Sequence, residues 1–147
     1  MSREGDAMRR SLKKLVVPAL NALGFKGARS SFVRIEADDL DLLTIQYGKY
    51  GGEFILEFAR TVYRDPETGA VVPEEKMDVI NLSPTLRGRL EQRGEGVSVF
   101  KGFSFAGFGN DASRYDALAA QVAGLLPQVD DWLRTRTIGS HIRASAV

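Results

Sequence analysis

Seven apolar side chains near the start of the chain, Met8, Leu12, Leu15, Val16, Ala19, Leu20 and Leu23, fall at i, i+4, i+7, i+8, i+11, i+12 and i+15. That spacing lines one face of an α-helix. A helix with a single apolar face is marginal in water, so the rest of the chain must supply a surface to cover it. Pro18 removes one backbone hydrogen bond and should bend the helix. Gly24 offers a left-handed C′ position, with Phe25 placed to fold back on the last turn. A second stripe, Leu118, Val122, Leu125, Val129 and Trp132, predicts another long helix near the other end. Ser113 and Asp116 have the spacing of a capping-box variant at its start, and Pro127 should kink it or divide it in two. Trp132 lies on the stripe and reads as a core anchor.

Between the two helices the period changes from 3.6 to 2. Residues 31–36 and 40–47 are rich in β-branched, aromatic and leucine side chains around the polar segment Ala37-Asp38-Asp39, the pattern of a hairpin. Gly48-Lys49-Tyr50-Gly51-Gly52 then reverses the chain into residues 53–63, where Phe54, Leu56 and Phe58 share a face. Asp65-Pro66-Glu67-Thr68-Gly69 is a strong turn, after which Val71-Val72 is expected to pair back as a short edge strand ended by Pro73. Signals conflict over 73–96. Val79, Ile80 and Leu82 look strand-like, Ser83-Pro84 starts a turn, and Leu86 and Leu90 suit a short helix ending near Gly94. Residues 97–108 return to β character, with Gly102 and Gly107 suggesting bulges or close backbone approach. Beyond Arg136 no period remains.

These elements predict an α+β fold: an antiparallel sheet of about five strands, the N-terminal and C-terminal helices packed on one face, and the other face open to a partner. Residues 1–136 form a single domain in this reading, and 137–147 a mobile C-terminal tail. A length of 147 residues with 44% apolar side chains suits one packed core.

Composition narrows the chemistry. The chain has no cysteine, which removes disulfides, thiol nucleophiles and thiolate zinc sites. Its net charge of +1 gives no strong field toward nucleic acid or lipid, although the basic excess gathers before residue 28. No apolar run approaches a membrane span of roughly 18 residues, and a cytoplasmic location is expected. The sole histidine, His141, falls in the predicted tail, which argues against a Ser-His-Asp triad or a histidine metal cluster. Glu36, Asp38, Asp39 and Asp41 crowd one turn without the spacing of a calcium loop and read as a solvated turn. The glycines of 48–52 lack phosphate-loop order. No catalytic residue, metal ligand or cofactor is therefore assigned.

One motif points elsewhere. Lys101-Gly102-Phe103-Ser104-Phe105-Ala106-Gly107-Phe108 fits the RNA-recognition octapeptide at six of its eight positions. Phe103 and Phe105 on one strand face would stack bases while Lys101 met phosphate. Val79, Asn81 and Leu82 echo the companion hexapeptide, but Lys101 stands only 20 positions after Asn81, which leaves little room for the intervening helix and strand. Alternating phenylalanines are also what a half-buried strand looks like.

The segment Leu23-Gly24-Phe25-Lys26, then Ser31-Phe32-Val33-Arg34, then the run from Asp41 through Tyr47, Gly48 and Gly52 to Leu56, resembles a bacterial family catalogued as domain of unknown function 4304. The resemblance covers about the first 60 residues. It implies an α+β bacterial cytoplasmic protein and carries no catalytic residues with it. By analogy of class alone it suggests a toxin-neutralising immunity protein. The leading expectation is a non-enzymatic protein-interaction domain whose partner is another protein. The alternative is single-stranded RNA binding around Phe103 and Phe105. Lys101, Phe103, Phe105 and Tyr50 are the candidate contacts.

Overall fold

In the computed structural model, which describes residues 2–92 and 101–144, two helices lie across one face of a seven-stranded antiparallel sheet. Helix α1 (Arg3–Ala22) starts at Ser2, whose hydroxyl accepts from the Gly5 amide. Pro18 is accommodated without ending the helix. It closes as its sequence predicts: Gly24 takes φ +97°, its amide donates to Asn21 and the Phe25 amide donates to Leu20, which caps the final carbonyls.

The strands are β1 (Lys26–Ala28), β2 (Ser31–Glu36), β3 (Asp39–Tyr47), β4 (Glu53–Val62), β5 (Arg87–Leu90), β6 (Phe103–Ser104) and β7 (Ile142–Ala144). Their order is β1-β2-β3-β4-β5-β7, with β6 pairing the start of β4 beside β5. Register fixes the faces. Phe32, Leu43, Phe58 and Gly88 stand opposite one another across four strands, and so do Ile45, Leu56, Leu90 and Ile142. These rows, Gly88 excepted for want of a side chain, meet α1 and α2 in the main core, where Met8, Leu12, Val16 and Leu20 are buried against Val122, Leu126 and Val129.

Helix α2 (Ala112–Thr135) runs without interruption through Pro127. Its N-cap is Asp111, which accepts from the Ser113 amide, so the Ser113-Asp116 capping box is not formed. Asp116 instead reaches α1, accepting from Ser11 at 2.8 Å and Lys14 at 2.9 Å.

The region of conflicting signals resolves differently from either reading. Residues 74–86 contain three single 3₁₀ turns, Glu74–Lys76, Val79–Asn81 and Pro84–Leu86. Of the expected helix over Leu86 and Leu90, Leu86 ends a 3₁₀ turn and Leu90 lies in β5, because pairing with β4 seats Leu90 in the core and brings Gly88 beneath the Trp132 indole. Its expected end near Gly94 lies outside the described residues. A Cβ on Gly88 would stand 2.8 Å from the Phe58 ring and 3.2 Å from Trp132, so only glycine fits at this crossing. Val71 pairs back through a single bridge to Arg64.

The tail read as mobile contains β7. Ile142 is buried opposite Leu90, and its docking extends the folded unit through residue 144. Of 97–108, residues 97–100 lie outside the described residues. Among the described residues of that stretch only Phe103–Ser104 are strand, and Phe105 continues the contact by donating its amide to Gly52.

Candidate functional site

The sheet face away from the helices is not left open as the sequence reading expects. Leu40, Leu42 and Val79 form a second buried cluster, with Val33, Tyr63, Val72, Met77 and Leu82 packed against it. The 3₁₀ segment thus covers the middle of this face. Two regions stay accessible on either side of that cover.

Toward the β1-β2 edge lies an apolar groove of about 730 Å³, walled by Val33 and Ile35 of β2 on one side and by Val71, Val72, Pro73 and Met77 on the other, with Tyr63 between them. Ile35 is 47% exposed and Val71 43%, unusual for side chains of this kind. Val62, 54% exposed at the end of β4, lines an adjoining hollow that shares Tyr63, Val71 and Val72. Beyond its three-residue pairing with β1, no described strand pairs with the outer side of β2 over residues 34–36. Exposed apolar side chains beside an unpaired strand edge form a natural protein-binding surface.

Toward the other edge the surface is charged. Glu57, buried in β4, accepts from Arg89 at 2.9 Å and from Gln46 at 3.1 Å, with Arg87 at 3.5 Å. Arg143 of β7 pairs with Glu91 at 3.0 Å. A hollow of about 320 Å³ between Gln46, Glu53, Arg89, Glu91, Lys101 and Arg143 opens here. Burial raises the Glu91 carboxyl above the ordinary range, against the opposing pull of Arg143 and Arg89. Among the described residues every cation in this group except Lys101 is matched by a carboxylate, so the arrangement reads as a structural ion-pair lattice.

The acidic turn is also matched. Asp41 is buried and accepts from Arg34 at 2.8 Å and from Arg60 at 2.7 and 2.9 Å. Arg60 reaches Glu36 and Asp39, Arg64 reaches Asp38, and Arg134 of α2 bonds Glu36 at 2.7 Å. Arg34 continues to Asp130 of α2 at 2.7 Å. The carboxylates that the sequence brings together therefore fasten the last turns of α2 to the hairpin. No group of His, Asp and Glu able to hold a metal occurs among the described residues.

Of the predicted contacts, Phe103 and Phe105 are fully buried in the main core. Phe103 stacks on Phe54 with centroids 5.3 Å apart, and Phe105 packs against Phe54 and Tyr115. Neither ring has a face free for a nucleobase, because both point to the helix side of the sheet. Val79, Asn81 and Leu82 lie in and after a 3₁₀ turn, away from the strand position that the companion hexapeptide requires. Lys101 is exposed at the rim of the charged hollow, and Tyr50, 92% exposed, stands on the β3-β4 turn. The structure does not gather these four residues into one surface. The groove residues escaped sequence reasoning. Their only signal is apolar character on both faces of β2, at Phe32 on one side and at Val33 and Ile35 on the other.

The family model described as a domain of unknown function, DUF4304, matches residues 16–134. The chain belongs to this family. The DUF4304 match extends well past the first 60 residues, through β5, β6 and α2 to the residues that fasten α2 to the hairpin. Every residue of the apolar groove lies within it, whereas β7 lies beyond it. No curated protein and no solved structure was found to match. No helix among the described residues is long and apolar enough to cross a membrane.

Proposed function

We propose that this chain is a non-enzymatic protein-interaction domain, and that it binds its partner through the apolar groove between β2 and residues 71–77. The observation that carries this reading is the clustering of Ile35, Val62 and Val71. They are half of the six large apolar side chains exposed among the described residues, and they border two adjoining hollows. The occupant that fits is an extended segment of another protein. Alternate apolar side chains would enter the groove while its backbone adds to the free side of β2, the strand-addition mode of recognition. The carboxylates of the acidic turn and of the charged hollow are tied in ion pairs, which supports binding over chemistry at those places.

The test places a photo-crosslinking residue at Ile35 and, as a control, at Ala120 on the exposed side of α2. A defined adduct should form at position 35 and not at 120. The captured protein should then bind the purified chain, and an Ile35→Glu, Val71→Glu form of unchanged melting temperature should bind it at least about tenfold more weakly. Inhibition of the captured protein's activity by the wild-type chain alone would narrow the reading to neutralisation. Equal labelling at both positions, or binding unaffected by the two substitutions, would refute it.

A further inference from the structure

On the opposite side of β1, under α1, lies a second cavity of about 370 Å³. Leu12 and Val17 of α1, Ala28 of β1, and Ile45 and Tyr47 of β3 form its apolar part, and Arg9, Lys13 and Arg29 stand around it. No carboxylate among the described residues lines it. Surface cations such as Arg10, Lys49 and Lys76 also lack an ion pair among the described residues, so the telling feature is the gathering of three such cations around one apolar cavity, in contrast to the arginines of the ion-pair networks. Arg34, Arg60, Arg64, Arg87, Arg89, Arg134 and Arg143 each sit on an acid. Arg9, Lys13 and Arg29 make no ion pair or hydrogen bond among the described residues. Arg9 instead sits over the Tyr47 ring, its Cζ 4.1 Å from the centroid, which holds the guanidinium beside the cavity.

We propose that this cavity binds a small amphipathic carboxylate, its apolar body against Leu12, Val17 and Ile45 and its charged end between Arg9, Lys13 and Arg29. The volume lies in the range of small-molecule sites, roughly 300–1,000 Å³, which are apolar clefts with a few placed polar groups. A neutral apolar molecule would leave the three cations unmatched. A compact anion such as phosphate would leave the apolar wall unused. A ligand with both parts uses the whole lining. Arg9 and Lys13 precede the stretch that the family model matches, whereas Arg29 and the apolar wall from Val17, Ala28 and Ile45 lie within it.

The probe is decanoate, titrated into the full chain and followed by amide chemical shifts, with 1-decanol, decyltrimethylammonium and inorganic phosphate as comparisons. Decanoate should bind with a Kd below about 1 mM, shift the amides of Leu12, Ala28 and Ile45, and exceed each comparison by at least about tenfold. An Arg9→Gln, Arg29→Gln chain should keep its melting temperature and bind decanoate about tenfold more weakly. Ala28→Phe, at an exposed strand position where phenylalanine is well tolerated, should fill the cavity and abolish binding. Failure of decanoate to bind, equal binding of decanol or phosphate, or indifference to the Arg9 and Arg29 substitutions would overturn the proposal. So would co-sedimentation with phosphatidylglycerol vesicles without decanoate binding, which would point to a membrane surface in place of a free ligand.

Discussion

Replacing Ile142 with alanine tests whether the end of the chain belongs to the fold. The side chain is 2% exposed, stands opposite Leu90 and extends the row Ile45, Leu56, Leu90 into the main core. Truncating a buried isoleucine to alanine costs about 2–5 kcal/mol, the spread reflecting how far the site can collapse. Strand β7 is three residues long and has no described strand on its outer side, so partial collapse is available. The lower half of that range applies, about 2–3.5 kcal/mol. In a domain of this size each kcal/mol lowers Tm by roughly 2–4 °C, so a loss of about 10 °C is expected. Urea unfolding followed by circular dichroism measures the change as a shift of midpoint at constant slope. Ile138, 57% exposed only four residues earlier, is the internal control, and its alanine variant should stay within about 0.5 kcal/mol of wild type. If Ile142→Ala proves as mild as Ile138→Ala, β7 contributes nothing to the fold and the domain ends with α2.

Asp41→Asn should cost about 3–5 kcal/mol, because it leaves Arg34, whose side chain is almost wholly buried, with only the more exposed Asp130 as counter-charge; a change below about 1 kcal/mol in urea unfolding would show that this network adds little to stability. The acid limb of stability should come from Asp116 and Asp130. Hydrogen bonds from Lys14 and Ser11 hold Asp116 below the ordinary carboxylate range, and in Asp130 the upward push of burial is outweighed by Arg34 and Arg134. Their contributions are present above the unfolded value of about 3.9 and are lost as pH falls through the lower folded values, so Tm should drop on acidification below about pH 4. Glu91 acts in the other direction. Burial raises its folded pKa, so its contribution is full below the unfolded value of about 4.3 and is lost as pH rises through the folded one. The Tm of Glu91→Gln relative to wild type should therefore increase between pH 4 and pH 7, and a flat or falling difference would contradict the assignment.

Both helices and strands β2, β3 and β4 are legible in the sequence because each repeats its apolar side chains often enough to declare a period. Strands β5 and β7 do not. Arg87-Gly88-Arg89-Leu90 offers one apolar side chain, and Ile142 is the only one that β7 sends into the core. Their conformation comes from the strand beside them and not from their own residues. Burial of Phe103 and Phe105 follows the alternation that the sequence shows, whereas the motif-like order around them has no bearing on which face the rings occupy. The acidic turn was visible and its partners were not, since Arg134 lies 98 residues from Glu36 in the chain. The groove was hidden for a related reason: apolar residues on both faces of β2 say that both are shielded somewhere, without saying where the shield stops.

The pairing of α1 with α2 also sets a timetable. Ser11 and Asp116, which join the helices, are 105 residues apart. At roughly 5–20 residues per second of synthesis, α1 waits on the order of 5–20 s for its partner after it has been made. The hairpins of β2, β3 and β4 close locally and are complete long before then. During that interval the stripe from Met8 to Leu20 can lean only on a half-covered sheet, and the same apolar surface that later defines the core is open to any other nascent chain. The yield of folded protein should thus depend on how fast the last third of the chain follows the first.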